Sequence, residues 1–176
     1  MVTRINGIKG VSNNLGVFSG ATEEGLLQTV MTSSGPERYT WATTTPQPCP
    51  DLSIDFTPLR GDSLILIYVD LSVTRSFVNS WAIYKDGLPT ADTTGFTNTN
   101  GPDMNFTGYL GTYDTSQIYP HSLIWSENSG STATRNYEVY GLASWSTRTD
   151  IIYVNDRSSD DMACYSSMTV MEIYNA

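Results

Sequence analysis

Histidine is nearly absent from this sequence: His121 is the single one, and cysteine appears only as Cys49 and Cys164. A serine or cysteine nucleophile activated by imidazole would have to be built around that one ring. His121 sits in the alternating stretch Tyr119-Pro120-His121-Ser122-Leu123, where a structural role is expected. One histidine and two distant cysteines cannot assemble a zinc site of the usual composition within one chain. Two cysteines do not make a disulfide framework either, so free, partly buried thiols are expected, with Cys49 in an exposed setting between Pro48 and Pro50. Also missing are a Gly-x-Ser-x-Gly elbow, a phosphate-binding loop, a dinucleotide fingerprint and any EF-hand spacing. These absences predict a protein that is not an enzyme, with no catalytic residue, cofactor or metal site. A glycosidase-type carboxylate pair is left open, because such groups converge only in space.

Charge is scarce as well. Charged residues make up 15% of the chain, against roughly 25% in ordinary soluble domains. Nine basic and 18 acidic residues give a formal net charge of −9. The arginines are scattered, and an acidic surface repels phosphate backbones, so no nucleic-acid partner is expected. No apolar run approaches the roughly 20 residues that span a bilayer, so no membrane insertion is expected. The first ten residues lack an apolar stretch of the secretory type, which predicts no export signal.

In place of charge the chain has Ser, Thr, Asn and Tyr, which suit pleated surfaces and turns. Residues 1–24 read as an extended Gly/Asn/Ser-rich arm with at most short strands, and 25–176 as one head domain. Strands are predicted over 26–31, 38–44, 51–57, 63–74, 80–85, 88–90, 118–127, 134–145, 150–154 and 166–174. In 51–57, Leu52, Ile54 and Phe56 form one face and Asp51, Ser53, Asp55 and Thr57 the other. The near-continuous apolar run SLILIYVDLSVT at 63–74 predicts a central strand covered on both faces. Asp86-Gly87 marks a hairpin. About eight short strands separated by turn clusters predict an all-β antiparallel sandwich with jelly-roll connections.

Four tryptophans, Trp41, Trp81, Trp125 and Trp145, fall in predicted strands and are expected in the core or at subunit contacts. The long polar segment 91–116 is different. It carries Phe96, Asn105, Phe106, Tyr109 and Tyr113, and rings interleaved with amides and carboxylates suit recognition of a glycan or a protein. These five residues are the candidate recognition loop. The competing expectation is that their rings fold back and close one end of the sandwich.

Leu26-Leu27-Gln28-Thr29-Val30, the Thr-rich Trp41 to Thr45, Leu52-Ser53-Ile54-Asp55-Phe56-Thr57-Pro58, the run from Ser63 to Val69, Tyr84-Lys85-Asp86-Gly87 and the closing Ser166 to Ile173 follow one another in a set order. In that order and spacing the chain resembles a family of jelly-roll domains in virion proteins of tailed bacteriophages, similar to complement and tumour-necrosis-factor heads. The likeness covers roughly residues 25–174, and departs from the family at 91–116 and at the Pro-rich turn 45–50. It implies a homotrimeric structural protein of the virion, assembled in the host cytoplasm. Its role would be capsid decoration (cement) or that of a tail-fibre, receptor-binding module. Residues 1–24 would then anchor it to other virion proteins, and a host surface glycan or receptor would be its external partner. The alternative expectation is a carbohydrate-binding, lectin-like or carbohydrate-active β-sandwich.

Overall fold

The computed structural model describes residues 3–6, 25–35, 39–41, 46–75, 79–90, 118–143, 152–154 and 164–174. Among these the regular structure is all strand: β1 (Thr3–Asn6), β2 (Gly25–Ser34), β3 (Tyr39–Trp41), β4 (Gln47–Phe56), β5 (Leu64–Arg75), β6 (Asn79–Lys85), β7 (Leu88–Pro89), β8 (Tyr119–Asn128), β9 (Arg135–Ala143), β10 (Ile152–Val154) and β11 (Ser166–Tyr174). Each of the ten expected stretches holds a strand, and β1 brings the number among the described residues to eleven. Within the segment read as an arm, β1 pairs antiparallel along the β2 edge, with Ile5 opposite Thr29.

Two antiparallel sheets form. The larger runs β1-β2-β11-β5, with β8 on the far side of β5 and the short β10-β3 pair continuing beside the end of β5. The smaller runs β4-β9-β6-β7. Alternation decides what lies between them, because successive side chains point to opposite faces of a sheet. Ile65, Ile67, Val69, Leu71 and Val73 of β5 face inward. They pack with Leu52, Ile54 and Phe56 of β4, Trp81 and Ile83 of β6, Tyr137 and Val139 of β9, and Met168 and Val170 of β11. This is a β-sandwich with one continuous core.

Two turns show local chemistry setting register. Lys85 and Leu88 pair across the β6–β7 hairpin, leaving a two-residue loop with φ of 51° at Asp86 and 79° at Gly87. Positive φ at both central positions is what an Asp-Gly turn supplies cheaply. On β4 the register against β9 jumps between Pro48 and Ser53, so residues 49–52 bulge opposite Val139. Asp51 adopts φ 62° there, and its carbonyl accepts a hydrogen bond from Thr32 Oγ1 at 3.0 Å.

Three sequence expectations need correction. The Pro-rich 45–50 segment is not wholly a turn: β4 begins at Gln47, and its position at the sheet edge tolerates Pro48 and Pro50, which donate no ladder bond. Cys49 is not exposed but 4% accessible, because the bulge turns it into the core. β5 is central, but among the described residues only its inner face is fully covered. Leu64 on its other face is 40% exposed, and Leu66, Tyr68, Asp70 and Ser72 are half-buried.

Candidate functional site

The candidate recognition loop residues Phe96, Asn105, Phe106, Tyr109 and Tyr113 lie outside the described residues, as does Trp145. Trp81 is fully buried in the core, and Trp125 is half-buried and packs against it. His121 is 8% exposed and shares the inward face of β8 with Leu123, a placement consistent with a structural histidine. Both cysteines are free thiols. Burial pushes the Cys49 thiol far above its ordinary value, so it is held as a small apolar group. Among the described residues no group of three or more His, Cys, Asp or Glu could hold a metal ion. No helix there is long and apolar enough to cross a membrane.

The surface feature the register brings together is the outer face of the larger sheet. Directly opposite residues share a face, so the pairings of β2, β11, β5 and β8 can be read as rows. One row is Leu26, Ile173, Leu64 and Asn128. The next is Thr29, Met171, Leu66 and Ser126, and the next Met31, Thr169, Tyr68 and Ile124. Leu26 is 43% exposed, Met31 45% and Ile124 63%. A single exposed leucine means little, but contiguous exposed apolar side chains mark contact surfaces. The last row, Ser33, Ser167, Asp70 and Ser122, carries the one charge on this face among the described side chains. Asp70 Oδ1 accepts hydrogen bonds from Tyr68 OH at 2.9 Å and Ser122 Oγ at 2.6 Å.

The apolar excess behind this face is visible in the sequence, but not its alignment across four strands. Apolar residues stand at both parities of β5 and again at Met168, Val170, Met171 and Ile173 of β11. A strand that alternates toward one core needs only one parity.

Two buried polar clusters hold the frame. Glu172, fully buried on β11, accepts hydrogen bonds from Gln28 Nε2 (2.6 Å), Leu59 N (2.8 Å), Arg60 N (2.9 Å) and Ser63 Oγ (2.6 Å). Gln28 also donates to the Thr57 carbonyl at 2.8 Å. The turn between β4 and β5 is thereby fastened to the middle of the larger sheet, and a buried acidic group with four donors is satisfied rather than costly.

The second cluster ties the two sheets at the β6–β8 side. Glu127 accepts from Lys85 Nζ at 2.6 Å, Arg135 Nη1 at 3.0 Å and the Tyr137 hydroxyl. Arg135, 6% exposed, also donates to the carbonyls of Ser129 (2.7 Å) and Ser131 (3.1 Å). Burial works to raise the Glu127 pKa, but the hydrogen bonds from Lys85, Tyr137 and Arg135 outweigh it and hold the carboxyl below the usual range. Burial and the Glu127 charge push the Tyr137 phenol well above its ordinary value. Each of these groups has its hydrogen-bond partner in the chain, and together they brace β6, β8 and β9 against one another.

No family model matches the chain, and no curated protein matches it. Among solved structures, dimeric latent PorU from Porphyromonas gingivalis is similar at a TM-score of 0.42 and 8% identity, over 90% of this chain. The chain spans 14% of that protein's length. A likeness at that level carries no argument about function.

Proposed function

We propose that the chain is a non-catalytic structural protein on the surface of a bacteriophage particle, associating as a homotrimer through the outer face of its larger sheet. The observation that carries this reading is the outer face of β2, β11, β5 and β8, where Leu26, Met31, Leu64 and Ile124 are each 40% exposed or more and Asp70 is the one charge among the described side chains. On a chain of net charge −9, a face with a single charge among its described side chains is where copies can meet with little like-charge repulsion. A closed ring of copies buries it on every subunit.

The path of the chain supports the finer, jelly-roll reading. It passes between the sheets at most of its connections, and the two orders are β1-β2-β11-β5-β8 and β4-β9-β6-β7. The residues behind the phage resemblance support it too. The 26–30, 63–69 and 166–173 segments are the neighbouring strands β2, β5 and β11, and Gln28, Thr57, Ser63 and Glu172 meet in one buried cluster. The role is capsid decoration or a tail-fibre, receptor-binding module, with residues 1–24 as the attachment to the particle.

Light scattering on the purified chain should give three times 19.4 kDa, and Ile124→Lys together with Met31→Lys should reduce it to one. A wild-type monomer would overturn the assembly reading. Labelling of intact particles, on head or on tail, distinguishes the two roles.

A further inference from the structure

The outer face of the smaller sheet is built from different chemistry. Tyr140 on β9 and Tyr84 on β6 stack at 3.9 Å between ring centroids and 21° between planes. With Ala82 they form a small cluster separate from the main core. Beside the rings, the register sets Ser53 opposite Glu138 and Asp55 opposite Asn136. Asn136 Nδ2 donates to Ser53 Oγ and to Asp55 Oδ1, both at 2.9 Å, and the Tyr140 hydroxyl donates to Glu138 Oε2 at 3.3 Å.

We propose that this face is a binding site for a neutral glycan, with the Tyr140 ring as the stacking surface and Glu138, Asp55 and Asn136 as the groups that read its hydroxyls. A pyranose offers an apolar C–H face to an aromatic ring and hydroxyls at its rim, which is the division this surface shows. The rings are already stacked on each other, so little side-chain entropy is lost when a ligand arrives. The polar groups stand on paired strands about 4.8 Å apart, close to the width of one sugar ring.

Charge selects the class of glycan. No cation stands among the described side chains of this face, because Lys85 turns to Glu127 on the inner side. Phosphorylated, sialylated or uronic sugars would meet two uncompensated carboxylates, whereas neutral hydroxyls donate to them. The 3.3 Å bond between Tyr140 and Glu138 is long enough to be exchanged for a ligand hydroxyl. The proposal goes beyond the assembly reading and stands without it. Copies that meet through the larger sheet do not use the opposite face, on which Asp55 is exposed and Asn136, Glu138 and Tyr140 are half-buried.

The test uses the full chain on an array of neutral and acidic bacterial polysaccharides, followed by titration with a soluble monovalent oligosaccharide of the strongest neutral signal. Binding to neutral glycans is expected, roughly tenfold or more weaker in Tyr140→Ala. Glu138→Gln, which keeps the side-chain shape, should weaken it as well and guards against a folding defect in the first variant. Ile124→Lys should change the light-scattering mass and leave this monovalent affinity alone, so the two readings fail separately. No neutral glycan bound at millimolar concentration, or affinity unchanged in both face variants, overturns the proposal.

Discussion

At the residue scale, what decides a position is often the neighbour across the sheet. Gly141 faces Trp81 in the β6–β9 ladder, and a Cβ added there would lie 2.5 Å from the indole. Trp81 is fully buried, so its ring has nowhere to move. Gly141→Ala is therefore expected to cost about 1–3 kcal/mol by overpacking, seen as a melting temperature several degrees lower. An unchanged melting curve would mean the indole has room to shift. The sequence shows a glycine inside a predicted strand, which signals a close approach without naming the partner. Cys49 was illegible for a related reason. Two flanking prolines suggest an exposed turn, and only the bulge against Val139 reveals that the thiol points into the core.

Among the elements, strands with strict alternation or clear turns were the easiest to read. The 51–57 alternation and the Asp86-Gly87 hairpin appear as expected, because each follows from local periodicity or dihedral demand. The polar clusters could not be read, since Glu127, Arg135 and Lys85 become neighbours only when β8, β9 and β6 come together. That cluster sets a pH dependence. Its hydrogen bonds depress the folded-state pKa of Glu127, so its contribution is present above the unfolded value of about 4.3 and lost as pH falls through the lower folded value. Glu127→Gln leaves the nearly buried Arg135 without its counter-charge and is expected to cost about 3 kcal/mol at pH 7. Urea unfolding of both proteins at pH 7, 5 and 3 should show the gap holding to pH 5 and narrowing toward pH 3. A gap independent of pH would show that the charge contributes nothing.

For the whole molecule, the instructive mismatch is β5. Apolar residues at both parities predict cover on both faces, and the described residues supply it on only one. The exposed Leu64 and Ile124 on that outer face explain the difference if a second copy is the missing layer, which is how the proposed trimer completes the pattern. The candidate site was thus half legible: the sequence showed apolar excess, but not that β2, β11, β5 and β8 would align it into one face. Association of this kind links stability to concentration, because copies bind the folded state and not the unfolded one. The melting temperature of the wild-type chain should therefore rise by on the order of 5 °C over a hundredfold increase in concentration. Ile124→Lys, a change on an already exposed side chain, should flatten that dependence while leaving the circular dichroism spectrum intact. A wild-type melting temperature that ignores concentration would leave the outer face without a partner copy, and the second layer that β5 lacks would have to come from elsewhere.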